Sequence, residues 1–279
     1  MEHGKGRWGQ IFDHVILCLG VFLMLFPVML MIMASTQGTQ SIALDGLRFS
    51  FGQEAMRNYR EILTLKAGFT DQISALAMMK NSLIIATSLA SLTSAISMCA
   101  AYAMVYFRFR FALLLFWLTM LTLMLPLESR FVTTYQVAST LGLVNTLPGM
   151  ILPALSLALG TLFFRQLFLS IPNEYLEAAK LDGAGPIKFF WDILLPLSWR
   201  RGGAIFVVSF MVGWHQYLWP VLLSTDESTF TVVRGMRLIG IESGPGMALA
   251  VLTLLPPLCL VFFFQRYFFQ SLGDTKESF

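Results

Sequence analysis

Long apolar runs alternate with short polar breaks along the whole chain, and the runs predict its architecture. Residues 15–34 carry no charge and are apolar throughout. A bilayer core of about 30 Å needs about 20 apolar residues in a helix, so this run predicts a first membrane span. A signal peptide would have a shorter apolar region of about 7–15 residues and a small-residue cleavage site, so an uncleaved span is expected. Residues 35–80 mix charges of both signs over a length no tight turn needs. They predict an external loop with short helices, one of them around residues 53–63. Residues 81–107 are uncharged again and crowded with Ser, Ala and Thr. Such small residues let helix backbones approach closely in a bilayer, so this second span is expected to face other helices. Residues 111–127 give the third span. Residues 131–164 are uncharged but too long for one straight span. Gly142, Asn145, Pro148 and Gly149 mark a break there. That leaves a short surface helix over 131–140 and a fourth span over 147–169, with Arg165 near its inner end. Residues 202–224 give the fifth span and 247–265 the sixth, where Pro256 and Pro257 predict a kink.

Composition supports this reading. Hydrophobic residues make up 56% of the 279 and charged ones 13%, against about 25% charged in a typical soluble domain. The fold class expected is all-α: a polytopic membrane protein with six transmembrane helices. The net charge of +3 is too small to point to a nucleic-acid partner. Cys18, Cys99 and Cys259 lie far apart in apolar runs and are expected to be buried small side chains. Neither they nor His3, His14 and His215 have metal-ligand spacing, so no metal is expected. Six spans place both ends on one side. With the ends inside, Lys5, Arg7, Arg108, Arg110, Arg165, Lys180, Lys188, Arg200, Arg201, Arg266 and Lys276 lie inside. That is 11 of the 19 Lys and Arg, a modest bias toward this orientation.

One polar island stands out in the second half, residues 174–196, EYLEAAKLDGAGPIKFFWDILLP. Its grammar is helix, break, helix. Pro172 suits a first helical turn, and Glu174 and Glu177 place acidic charge at the favourable end of a helix. Gly183 and Gly185 are stops, and Pro186 can open a second helix. Ile187, Phe190, Trp191 and Leu194 are spaced i, i+3, i+4 and i+7, which predicts one apolar face, and Pro196 is expected to end the run. Two short helices exposed between spans form a shape suited to a partner's groove.

This island also resembles the EAA loop of ABC importer permeases, with Glu177, Ala178, Ala179, Asp182, Gly183, Ala184, Phe190, Ile193, Leu195 and Pro196 all in register. Further stretches look like the permeases for carbohydrates and polyols: LPLESR, LGLVNTLPGMILP and GWHQYLWPVLLSTD. The last of these, with FRFRF and LTLLPPLCLVFFFQRYF, is most similar to the glycerol-3-phosphate branch. The resemblance covers roughly residues 81–269 and implies a type I ABC importer permease fold. It implies a cytoplasmic head over 1–14, a first span over 15–34 and a periplasmic loop over 35–80. A five-helix permease core follows over 81–270, its cytoplasmic coupling loop at 172–201, then a cytoplasmic tail over 271–279. It implies as partners a homologous second permease subunit in a heterodimer, two ATPase subunits, a periplasmic binding protein and the inner-membrane bilayer. Within the loop it implies ATPase coupling by Glu177, Ala178, Ala179, Asp182, Gly183 and Pro196. Glu177 would be the polar anchor, the two alanines would allow close approach, and Gly183 would supply the bend. Each also has a plain helical explanation, in charge at a helix start or in helix propensity.

The chain contains no G-x-x-x-x-G-K-[S/T] phosphate loop, so ATP is expected to be bound by a partner and no cofactor by this chain. It also lacks HExxH and GxSxG patterns, and no catalysis is expected. Polar groups within or beside spans invite a functional reading because they are costly there. Glu128 and Arg130 at a span end, and Trp214, His215, Gln216, Tyr217 and Trp219 in the fifth span, are the candidates for the substrate pathway. An Arg can pair with a phosphate, and Trp or Tyr can stack on a polyol face. The competing explanations are a Glu128–Arg130 pair and an aromatic belt at the membrane interface. A sugar or another polyol is the alternative substrate. A secondary transporter would need ionisable groups at mid-membrane, and the spans are almost free of them.

Overall fold

Proline positions explain where the helices of this chain break. The computed structural model describes residues 7–64, 74–107, 109–125, 127–155, 157–240 and 242–273. Among these the regular structure is helical. Fourteen α-helices follow in order: α1 Arg7–Ala34, α2 Thr39–Asp45, α3 Ala55–Thr64, α4 Ala75–Tyr106, α5 Ala112–Met124, α6 Phe131–Thr140, α7 Leu147–Ile151, α8 Leu157–Leu169, α9 Asn173–Leu181, α10 Pro186–Phe189, α11 Leu195–Trp214, α12 Leu218–Leu223, α13 Val232–Ile239 and α14 Gly244–Gly273. The ends of the expected head and tail, residues 1–6 and 274–279, and Arg108 lie outside the described residues.

Among the described residues, three helices are long and apolar enough to cross a membrane: α1, α4 and α14. Two further helix pairs are long and apolar enough only when taken together, and both are bent. Leu147–Ala154 and Ala158–Leu169 meet at 54°, and Pro186–Trp199 and Arg201–Trp214 meet at 71°. The remaining expected span, the third, is the thirteen-residue helix α5. At 1.5 Å per residue it is about 20 Å long, shorter than the hydrocarbon core. It stops at Leu125, whose ψ of 112° is extended, because a residue before proline is pushed out of the helical region.

Three other expectations are corrected by the same chemistry. The fifth span does not run unbroken to residue 224. Helix α11 stops at Trp214 and α12 starts at Leu218. In a continuous helix the Pro220 ring would clash with the carbonyl of Gln216. The fourth span is also divided, because α7 passes into a 3-10 turn over Leu152–Ala154 that contains Pro153. Pro196 does not end its helix. The backbone passes through a π turn, Phe190–Leu194, and straight into α11. The wider π turn relieves the clash that Pro196 would make with the carbonyl four residues back. Pro256 and Pro257, by contrast, lie inside one helix, α14, without breaking it.

The second span starts earlier than expected, at Ala75, so Lys80 is helical and exposed rather than part of the preceding loop. The loop itself does hold two short helices, α2 and α3. Cys18, Cys99 and Cys259 are exposed, not buried. A small apolar side chain on a membrane helix is sheltered by lipid and needs no protein core.

The described chain divides into two units. In the first, residues 1–76 with 235–254, buried amides tie down the loop after α1. Gln37 Nε2 donates to the carbonyls of Arg48 (2.7 Å) and Ser50 (2.8 Å). Asn58 Nδ2 donates to the carbonyls of Ser35 (2.9 Å) and Gln37 (2.8 Å). The Arg48–Asp45 and Arg57–Glu54 ion pairs are exposed and contribute little.

In the second unit, residues 77–234 with 255–279, α4 is packed as its small residues predicted. A Cβ on Gly160 of α8 would lie 2.5 Å from Ser97 Oγ, and one on Gly213 of α11 would lie 3.0 Å from Ala86 Cα. Two apolar clusters fill this unit. One gathers Met98, Phe164, Phe168, Ala179, Phe189, Leu194 and Ile205; the other gathers Ile85, Ala138, Met150, Trp219 and Leu223. The Arg165 guanidinium lies 4.4 Å from the Phe116 ring centre, joining α8 to α5.

Candidate functional site

Each of the two apolar clusters carries one candidate region. The first is the polar island. Helix α9 begins after Pro172, its N-cap, with Glu174 in the first turn. It closes on Asp182 as the C-cap, with Gly183 at φ 71°, a conformation that favours glycine. Gly183 N donates to Lys180 O (3.1 Å) and Ala184 N to Ala179 O (2.8 Å). This pair of bonds is the Schellman closure, and it satisfies carbonyls that the helix end would otherwise leave open. Gly185 is the N-cap of α10 and Pro186 its first residue. The expected helix, break and helix are therefore present.

The apolar face of α10 differs from the spacing rule. Phe189 and Leu194 are buried, and Phe190 and Ile193 are partly buried against the same cluster. Ile187 is 76% exposed and Trp191 59% exposed. The π turn inserts an extra residue into the turn and rotates the face, which a strict 3.6-residue period cannot anticipate. Leu181 is 89% exposed beside them. The alanine pair also divides. Ala178 is exposed, whereas Ala179 is 3% exposed and packed in the first apolar cluster. Ala179 is thus a seat for the loop and not a surface for a partner. Glu177, Asp182 and Pro196 are exposed.

The second region brings together residues that the sequence placed apart. A cavity of about 410 Å³ is lined by Arg130, Phe131, Thr134, Pro153, Ala154, His215, Gln216, Tyr217, Leu218 and Trp219. Arg130 from the end of the third span and the fifth-span group therefore face one space. Trp214 does not join them: it is 2% exposed and stacks on Phe210 at 5.9 Å. The side chain of Glu128 lies outside the described residues. The Gln216 Oε1 atom is buried with no hydrogen-bond partner among the described residues, and His215 Nδ1 lies 2.9 Å from Met211 O.

The backbone around this cavity is held by long-range hydrogen bonds. Trp219 Nε1 donates to Gly149 O (3.1 Å) and its ring stacks on Phe131. That carbonyl is open because its helical donor would be residue 153, and Pro153 has no N–H. A Cβ on Gly149 would lie 2.0 Å from Leu143 O, so only glycine fits. Asn145, at φ 59°, ties the break to the end of α12. Its Oδ1 accepts from Thr225 N (2.6 Å) and Asp226 N (2.9 Å), and its backbone N donates to Leu223 O (2.7 Å). Arg234 caps α12 from the other side. It donates to the carbonyls of Pro220 (3.0 Å), Val221 (3.2 Å) and Ser224, and lies over the Phe230 ring. Burial lowers the pKa of its guanidinium from the ordinary value, and Tyr217 acts in the opposite sense. In the sequence Asn145 marks only a break, and Arg234 carries no local sign of a cap. The signal for Pro153 and Trp219 was a proline four residues after a glycine, which frees a carbonyl.

Residues 94–274 match the family model for the binding-protein-dependent transport system inner membrane component. The chain belongs to this family. The permease is 40% identical over 283 residues to the sn-glycerol-3-phosphate transport system permease protein UgpE of Yersinia enterocolitica, with 99% of this chain and 100% of that one covered. It is 38% identical over 284 residues to the protein of the same name from Pectobacterium atrosepticum, covering 99% and 100%. With that of Brucella melitensis it shares 37% over 274 residues, covering 96% and 97%. A crystal structure of a bacterial ABC transporter involved in the import of the acidic polysaccharide alginate has the same fold. Its TM-score is 0.74 at 20% identity, over 95% of this chain and 99% of that one. The permease is therefore an all-α, multi-pass inner-membrane subunit of an ABC importer. Its role is passage of substrate, not catalysis. It works in a system that includes a binding protein, an ATPase and further permease.

Proposed function

We propose that the permease moves sn-glycerol-3-phosphate across the inner membrane, with energy supplied by a separate ATPase through residues 172–201. The observation that carries this is full-length similarity to permeases named for that substrate, at 40% identity with no part of the relative left over. Arg130 at the cavity is consistent with it, since a guanidinium can bind a phosphate with two hydrogen bonds. Phe131, Tyr217 and Trp219 offer faces on which the glycerol carbons can pack. These aromatic walls also suit a sugar, which is the second reading.

In this proposal six crossings place both termini and the loop in the cytoplasm. The permease pairs with a homologous second permease, and two ATPase subunits each hold one coupling loop. A periplasmic binding protein delivers substrate, and ATP is bound only by the ATPase. Closure of the ATPase pair drags the loops together, and the permeases move as bodies that switch the cavity from one side to the other. Glu177, Ala178 and Asp182, with the exposed Leu181, Ile187 and Trp191, form the docking face. Gly183 shapes the turn, and Pro196 follows the π turn that sets its angle.

The test is reconstitution of the permease with its partner permease, ATPase and binding protein in proteoliposomes. ATP hydrolysis is expected to rise with glycerol-3-phosphate and not with maltose. A rise with maltose instead would remove the substrate assignment and leave the importer role standing.

A further inference from the structure

Force from a docked ATPase has two routes from the loop into the membrane spans. The covalent route runs through the π turn Phe190–Leu194 and then the 71° bend before Arg201–Trp214. Both are weak links, because π turns and bends lack the regular ladder that stiffens a helix. The lateral route runs through the end of α4. Tyr102 Oη donates to Pro186 O at 2.8 Å, at the first residue of α10. Its ring lies 5.1 Å from Phe190, in the π turn, and 5.5 Å from Tyr106. Tyr106 in turn meets Phe189 edge-on at 5.3 Å and Phe168 at 6.1 Å, the latter at the end of α8 where the chain enters the loop. Ala179 of α9 is packed in the same cluster. Two tyrosines one helical turn apart thus touch the entry, the corner and the exit of the loop.

We propose that Tyr102 and Tyr106 are positioning residues that clamp the coupling loop to α4 and transmit its movement to the spans. The proposal rests on the reading of residues 172–201 as the ATPase-docking loop. Aromatic contacts of this geometry prefer fixed mutual angles, and the Tyr102 hydrogen bond fixes the corner in register. A loop held this way moves with α4 as one body. A loop released from it turns about the π segment, and ATP is hydrolysed without transport.

The experiment uses the complete importer in proteoliposomes and reads substrate imported per ATP hydrolysed, together with retention of the ATPase on purification. Tyr102→Phe keeps the ring and removes only the hydroxyl, so the fold is preserved. In this variant the ATPase stays bound, and the import-to-hydrolysis ratio falls about fivefold, the scale of one hydrogen bond. Tyr106→Ala lowers the ratio further. A purely structural role would change yield or melting temperature and leave the ratio alone. A wild-type ratio in Tyr102→Phe overturns the clamp. Glu177→Lys separates the two claims. If it keeps ATPase and transport, the docking-loop reading falls and the clamp with it. If it releases the ATPase while the Tyr102→Phe ratio is normal, only the clamp falls.

Discussion

The loop at 172–199 and the cavity around Trp219 are held in opposite ways. The loop is seated by rings and alkyl groups, and the Tyr102 hydroxyl ties its corner to α4 by donating to the Pro186 carbonyl. The cavity wall is held by directional bonds to backbone carbonyls that prolines and helix ends have left open. Apolar packing tolerates small sliding and leaves a face available to a partner. Directional bonds fix geometry, which suits a surface that must recognise a polar solute. On the proposed reading, the part that moves and the part that recognises substrate are thus built from different forces.

The largest expected effect falls on the moving part. Glu177→Lys reverses the charge of the exposed docking helix. Opposed like charges at an interface cost several kcal/mol, so substrate-stimulated hydrolysis should fall about a hundredfold or more. The melting temperature of the permease itself should be unchanged, because the side chain touches none of its core. Unchanged stimulation would erase the contrast at its root. Next comes Gly149→Ala on the reading part. Its Cβ would enter the space of Leu143 O, and the strain should cost about 3 kcal/mol. A lowered melting temperature in detergent is the outcome to look for, and wild-type stability would mean that the break over 141–146 is free to shift.

Arg234→Met keeps length and removes the cap on α12. Bonds from a charged donor are worth about 1.5–3 kcal/mol each, and partial rescue by water should leave a net loss of about 2 kcal/mol. Affinity for substrate should weaken with stability, since α12 carries Trp219 into the cavity. If stability fell and affinity did not, Arg234 would hold the fold without shaping the site. Trp219→Phe is milder. It leaves Gly149 O without its donor, at about 1 kcal/mol, while keeping a ring against Phe131.

The two regions also differ in how far the sequence disclosed them. The loop was legible because its signals are local. Gly183, Pro186 and the acidic start of α9 act within a few residues, and each appears where expected. The miss there was also local: a π turn shifted the buried face from Ile187 and Trp191 to Phe189 and Ile193. The cavity was half legible. Arg130 and the group after Trp214 could be named, but not their meeting. The bonds that bring them together join residues 70 to 81 apart, from Gly149 to Trp219 and from Asn145 to Asp226. Hydrophobic periodicity carries no information on such pairs. Pro153 carries no local signal of its partner, although its missing N–H leaves the Gly149 carbonyl open as an acceptor for Trp219.

The smallest effect on stability sharpens the comparison most. Ile187→Ser removes an exposed apolar group from the corner of the loop. Exposed substitutions change stability by about 0.5 kcal/mol or less, so the permease should melt as the native protein does. On the docking reading, the same change deletes apolar contact with the ATPase, and affinity for that subunit should drop about tenfold, measured by titration of ATPase into permease in nanodiscs. A parallel change at the cavity, Thr134→Ala, should leave ATPase affinity untouched, because Thr134 lines only the other region. The two variants then separate in sign as well as place: one alters partner binding without altering the fold or the cavity, the other does not. If Ile187→Ser bound the ATPase normally, its exposure would instead reflect the π turn turning an apolar residue outward, and the docking face would have to lie on α9 alone.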